Sequence, residues 1–393
     1  MKIPISKNSF GPEELAAIQE PLIEGWVVQG RQVRAFEAAF AEYSGAHHAL
    51  TCSSGTAALQ IAVGAMGIQP GDEVIVPGFT WIATANVVEL WGARPVFCDI
   101  DLQTFNANSQ TLNDAVTKRT VGLLPVHLFG LCCDMDSVVE LASRNKLWVV
   151  EDAACALGSW FRNRHAGTIG DIGCFSFHPR KSITTGEGGM LTVKDGHKAR
   201  ICDGLRNHGA VPAEGAAPGN TGHSSLLPSY SIAGFNYRLT DIQAALGLAQ
   251  IKRLDFLLSE RRRCAEFYSQ ALKDVAWLRL PMHDADYIHA WQSYVTLFAT
   301  EEPTLQNVNA MHLQRNHLMA HLDHLGIATR QGTHAPPHLE FYANKYRIRP
   351  QDFPNSWIAD RLSLALPLFP GMTESELTYV IDALRSYDPQ KST

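Results

Sequence analysis

A chain of 393 residues, 46% hydrophobic and 18% charged, has enough apolar material for a sizeable core and is long enough for two domains. Its 39 acidic and 33 basic side chains leave a net charge of −6. That balance argues against a nucleic-acid or membrane partner, since either favours a basic face, and leaves a small molecule as the expected substrate.

In chain order, the apolar periodicity predicts a helix over 56–65, a strand over 73–77, a helix over 82–91 and a strand over 94–98. A helix over 109–117, a strand over 120–125, a helix over 135–145 and strands over 147–151, 174–177 and 190–193 follow. Several of these strands lack a polar face, as expected of a mostly parallel sheet covered by helices on both sides. Residues 210–231 are rich in Gly, Pro, Ser and Ala and predict a surface loop. A long helix is expected over about 240–272, carrying the basic run Arg261, Arg262 and Arg263. Beyond it, a strand over 293–298 and helices near 309–325 and 356–363 fit a smaller α+β unit. The expected division is a large domain, 1–250, and a small C-terminal domain, 251–393.

No basic and apolar leader with a small-residue cleavage site is visible, and stretches such as 61–68 fall far short of the roughly 20 apolar residues that span a bilayer. The eight cysteines include the adjacent Cys132 and Cys133 but no C-x-x-C. They read as the reduced thiols of a soluble cytoplasmic protein rather than a disulfide framework.

Lys181 stands in a chemically suggestive segment, Gly173-Cys-Phe-Ser-Phe-His-Pro-Arg-Lys-Ser-Ile-Thr-Thr-Gly-Glu-Gly-Gly189. Pro179 follows the apolar strand and places the lysine in a loop at a strand end, where α/β enzymes hold ligands. An amine kept unprotonated there can form an imine with an aldehyde cofactor. An arbitrary lysine is a solvated surface residue, so this segment does not decide the matter alone. Leu147-Trp-Val-Val-Glu-Asp152 is an apolar strand ending in two acids. A carboxylate at Asp152 can pair with a pyridine nitrogen and preserve the ring as an electron sink, or else act as a helix cap or ion-pair partner. Ser53-Ser-Gly-Thr-Ala-Ala-Leu59 opens a helix whose free N–H groups and positive end suit a phosphate, although the same residues make an ordinary capped helix start. Trp81, after the strand at 73–77, offers a face for stacking on a heteroaromatic ring or for packing in the core.

Two other features carry less. Gly186-Glu-Gly-Gly189 lacks the spacing, helix and acidic residue of a dinucleotide site. His312, His317, His321 and His324 fall at i,i+3 and i,i+4 spacings on one expected helix, without the acidic or cysteine companion of a metal motif, and read as a polar face.

The order of these pieces resembles the DegT/DnrJ/EryC1/StrS family of pyridoxal-phosphate sugar aminotransferases over nearly the whole chain. The matching stretches are Ser54-Gly-Thr-Ala-Ala-Leu59, Glu151-Asp-Ala-Ala154, Ser176-Phe-His-Pro-Arg-Lys181 with Thr185-Gly-Glu-Gly-Gly189, and Gly234-Phe-Asn-Tyr-Arg-Leu-Thr-Asp-Ile-Gln-Ala-Ala245. Pro337-His-Leu-Glu-Phe-Tyr342 and Leu364-Ala-Leu-Pro-Leu-Phe-Pro-Gly371 match C-terminal signatures.

The resemblance implies an α/β large domain of the aspartate-aminotransferase type (fold type I) with a mostly parallel seven-stranded sheet, a small C-terminal α+β domain and a homodimer. It also implies pyridoxal 5′-phosphate as cofactor, glutamate as amino donor and a keto- or aldehydo-sugar as acceptor, most often nucleotide-linked. A free acidic sugar, such as an 8-oxo derivative of 3-deoxy-manno-octulosonate, is the alternative acceptor. Carried over by position, Lys181 forms the Schiff base, Asp152 pairs with the pyridinium nitrogen, and Trp81 stacks on the ring. Gly55, Thr56 and Ser176 contact the phosphate, and Asn236 reaches the phosphate of the neighbouring subunit's cofactor. Where the family commonly has Gln or His, three residues after the aspartate, this chain has Cys155, a weak hydrogen-bond partner that the resemblance keeps in the pocket. Relatives that dehydrate sugars typically carry histidine at the lysine position, so Lys181 favours amino transfer. A non-catalytic sensor would be expected to bring a DNA-binding domain or basic face, which is not seen.

Overall fold

The strands that lack a polar face assemble into one sheet. The computed structural model describes residues 1–211, 228–282 and 284–391. Its seven principal strands are β1 (His48–Cys52), β2 (Glu73–Pro77), β3 (Arg94–Cys98), β4 (Thr120–Leu123), β5 (Trp148–Asp152), β6 (Ile172–Ser176) and β7 (Gly189–Val193). They lie in the order β1-β7-β6-β5-β4-β2-β3. Only β7 runs against its neighbours, β1 and β6; the other pairs are parallel, so the sheet is mostly parallel. Alternate side chains serve opposite faces. Ile75, Val149, Phe175 and Met190 join one core with α2 (Arg31–Ser44), which follows α1 (Pro12–Glu24). Val74, Val76, Val150, Cys174 and Leu191 join another with α3 (Gly55–Ala65) and α4 (Ala83–Leu90). Burial on both sides explains why β2 and β7 expose nothing.

Several expected boundaries move. β4 ends at Leu123 rather than 125, because Pro125 has no N–H to continue the ladder, though its carbonyl still accepts from Asp152 N at 2.8 Å. Next come α5 (Ser109–Asp114), α6 (Met135–Asn145) and α7 (Gly196–Arg206). α5 stops three residues early, as Thr117 N turns to the Thr120 hydroxyl at 2.8 Å. The single helix expected over 240–272 is two, α8 (Asp241–Lys252) and α9 (Leu254–Leu272), broken at Arg253 with φ −102° and ψ 3°. No Pro or Gly marks the break. Arg253 instead reaches Glu14 on α1 at 2.6 Å, which holds the end of α8 against that helix. The loop expected over 210–231 mostly lies outside the described residues, but its ends pair as short antiparallel strands, Ala210–Val211 with Ser229–Tyr230.

α9 has one end in each of two cores. Leu254, Leu257 and Leu258 pack with the large sheet, whereas Cys264, Ala265, Tyr268 and Leu272 join the C-terminal core. That core surrounds an antiparallel sheet of Leu278–Arg279, Tyr294–Phe298 and Ser363–Leu366, together with α10 (Val308–His324). The N-terminus returns to it: Ile3 N donates to Gly326 O at 2.8 Å, and Ile3 is fully buried there. Among the described residues, no helix is long and apolar enough to cross a membrane.

Candidate active site

The C-terminal ends of β5 and β6 open into a cleft with about 950 Å³ of empty space, counting its mouth. Gly55, Thr56, Trp81, Asp152, Cys155, Ser176 and Lys181 all line it. Asn236, the remaining candidate, is exposed and does not line this chain's own cleft; its backbone bridges to Asn207.

Strand alternation separates the two acids that end β5. Asp152 faces the cleft, where its Oδ2 accepts from Thr84 Oγ1 at 2.8 Å and its Oδ1 from Ala154 N at 3.2 Å. Burial raises its pKa above the ordinary carboxylate value, against the opposing pull of those bonds and of Lys181. Glu151 points the other way, fully buried, and accepts from Gly167 N at 2.7 Å, Ile169 N at 2.7 Å and Gly170 N at 2.6 Å. His127 completes its shell: Cys133 N donates to His127 Nδ1 at 3.1 Å, so Nε2 carries the proton given to Glu151 at 2.8 Å. Burial alone would push the Glu151 carboxyl up, but His127 and the backbone donors hold it below its ordinary value. Glu151 is thus a structural anion that ties down the 167–170 turn, and Asp152 is the carboxylate left for a ligand.

Lys181 projects from the loop after β6, and its Nζ donates to Cys155 Sγ at 3.0 Å. The loop is pinned from outside. Arg261 on α9 donates to Lys181 O at 3.3 Å and to Gln292 O at 3.2 Å, while Gln292 Nε2 donates to Arg180 O at 2.8 Å. Burial pushes the Arg261 pKa down to about 10. Sequence reading assigned Arg261 only to a basic run, although a signal was present. With Leu257, Leu258, Cys264 and Ala265 it falls at helical spacing in an apolar stripe, where a charge needs polar partners.

On the third side, Ser54 caps α3 by accepting from Ala57 N at 3.0 Å. Gly55 and Thr56, the first residues of the helix, whose N–H groups have no partner within it, line the cleft with Ser176. Glycine is required at 55, since a Cβ there would stand 2.8 Å from that of Ser176. Trp81 leaves 55% of its surface open, and its ring lies 6.0 Å from that of His334. Core packing is therefore not its role. An amine, a buried carboxylate, a helix N-terminus with hydroxyls and an open aromatic face are the groups needed by a phosphorylated pyridine aldehyde, and the residues fit that group.

The match to the DegT/DnrJ/EryC1/StrS aminotransferase family spans residues 8–385. The chain belongs to this family. It is 40% identical to the GDP-perosamine synthase of Caulobacter vibrioides over 98% of this chain and 97% of that one. It is 38% identical to the spore coat polysaccharide biosynthesis protein SpsC of Bacillus subtilis over 98% and 96%. Spr1654 of Streptococcus pneumoniae, solved in its PLP form, superposes with a TM-score of 0.89 over the whole of both chains at 26% identity. The protein is accordingly a pyridoxal-phosphate-dependent sugar aminotransferase of fold type I. Thr84, which bonds Asp152, and Gln292, which lines the cleft, come from the structure alone; His178 and Arg180 stood in the lysine segment without a role and also line the cleft.

Proposed function

We propose that this enzyme moves an amino group from glutamate to the carbonyl of a nucleotide-linked keto- or aldehydo-sugar, in the cytoplasm, for cell-surface polysaccharide, lipopolysaccharide or secondary-metabolite sugars. The observation that carries the reading is the meeting of Lys181 Nζ and the Asp152 carboxylate on one cleft, opposite the N-terminus of α3. The names of the relatives support a surface-sugar role, and that of GDP-perosamine synthase supports the nucleotide.

Pyridoxal phosphate, when bound, supplies an electron sink for the carbanion formed at the donor's α-carbon. Lys181, once free, takes the proton from that carbon as general base and later returns one as acid. Asp152 keeps the pyridine nitrogen protonated. Gly55, Thr56 and Ser176 would hold the phosphate and Trp81 would cover the ring, while Cys155 accepts from the Lys181 amine when that amine is free. Asn236, exposed on its own subunit, reaches the phosphate site of a second copy in a homodimer.

Adding glutamate alone to the loaded enzyme is expected to release 2-oxoglutarate and convert the cofactor's aldehyde absorbance to that of its amine form. A Lys181→Ala variant should do neither. A coupled assay then compares nucleotide-linked and free sugars. Turnover confined to free acidic sugars would overturn the acceptor assignment, and silence with glutamate the donor assignment.

A further inference from the structure

The cleft has a side recess, reached past Arg180, Gln292, Ser293 and Gly332, which line both spaces. Its lining adds Ser6 and Arg330, with Ile5, Leu366 and Leu368 beside them. No Asp or Glu lines it. Other surface arginines do meet acids, as Arg162 meets Asp136 and Asp286. Among the described residues, neither Arg180 nor Arg330 has a carboxylate within ion-pairing distance. The amides are already committed: Gln292 Nε2 to Arg180 O, and Gln331 Nε2 to Thr333 O at 2.7 Å and Asp360 Oδ1 at 3.0 Å. The two guanidinium groups and the hydroxyls of Ser6 and Ser293 are left as donors for a ligand.

Two guanidinium groups without a carboxylate partner among the described residues favour a small planar anion, because each can donate two parallel hydrogen bonds to one carboxylate. Counting the open mouths of both, the recess has about 380 Å³ of empty space against about 950 Å³ for the main cleft. That suits a carboxylate on a short chain and leaves the larger space to the sugar. Position agrees, since Arg180 is the residue next to Lys181, and the reacting α-carbon must approach that amine.

We propose that the recess seats a carboxylate of a dicarboxylic amino donor, with Arg180 and Arg330 as its ligands and thus as donor-specificity residues. The inference rests on the donor reading above and deepens it.

Glutarate, a dicarboxylate that has no amine to transfer, serves as the probe, with binding to the loaded enzyme measured by calorimetry. Arg180→Gln and Arg330→Gln are each expected to weaken glutarate about tenfold or more and to raise the KM for glutamate similarly, leaving the KM for the sugar unchanged. Arg262→Gln, which removes the same charge from an exposed site on α9, should change neither; retained cofactor loading and melting temperature verify folding. Unaltered glutarate binding in both recess variants overturns the inference, as does a loss confined to the sugar's KM, which would assign the recess to an acid group of the acceptor. In either case a wild type that still uses glutamate leaves the donor reading standing. A wild type that neither uses glutamate nor binds glutarate defeats both.

Discussion

Replacing Asp152 by Asn separates the burden of a buried carboxylate from its use. The side chain is 4% exposed, and burial holds its pKa above the ordinary value in spite of its bonds to Thr84 Oγ1 and Ala154 N. For a group whose folded pKa is raised, the stabilising contribution is full below the unfolded value and is lost as pH rises through the folded value. A tenfold difference in proton affinity between the folded and unfolded states is worth about 1.4 kcal/mol. In the cofactor-free protein, wild type should therefore lose stability relative to Asp152→Asn across that window, in proportion to the upward shift. The amide is accommodated locally, because the Thr84 hydroxyl can turn its proton to Trp81 O, 3.0 Å away, and accept in place of donating. The activity should move the other way. Losing a charge-assisted bond to the ring nitrogen, worth about 1.5–3 kcal/mol, predicts about a 10- to 100-fold fall in turnover. Urea midpoints of both cofactor-free proteins from pH 4 to 8, set beside turnover of the loaded forms, make the test. A wild-type minus variant difference that is flat with pH, or that grows in favour of wild type, would refute the reasoning.

Cys155 is only partly buried, while the other seven cysteines are buried. One thiol should therefore react rapidly with a disulfide reagent in the native protein, disappear in Cys155→Ser, and be shielded by cofactor; several fast thiols would contradict the packing. Gly55→Ala should weaken pyridoxal-phosphate binding by about 10- to 100-fold in a titration, since overpacking of this kind costs about 1–3 kcal/mol. Ser176→Gly removes the atom the new Cβ meets but also a hydroxyl assigned to the phosphate, so the double variant should lose less than the sum of the two single losses; additive losses would place the Gly55→Ala effect elsewhere.

The sheet and a lysine in a loop at a strand end were readable in the sequence because both are local. Strands buried on two sides write themselves as apolar runs, as 73–77 and 190–193 do, and Ser54-Gly55-Thr56 announces a helix start by residue type alone. Asp152 was likewise a candidate from its place at the end of an apolar strand. Its difference from Glu151 is tertiary, however: one carboxylate meets His127 and the 167–170 turn, the other open space. The break between α8 and α9 left no local trace either, since it arises from the reach of Arg253 across more than two hundred residues to Glu14.

The sequence by itself determined which groups a single loop or strand end can offer: an amine at Lys181, an acid at Asp152, a helix start at Gly55 and Thr56. Only the tertiary structure decided which charges go unanswered. Arg261 is buried and spent on the lysine loop, whereas Arg180 and Arg330, 150 positions apart, share a recess with no acid in it. Pairing and burial depend on separation in space, and residue type with spacing along the chain does not encode that separation.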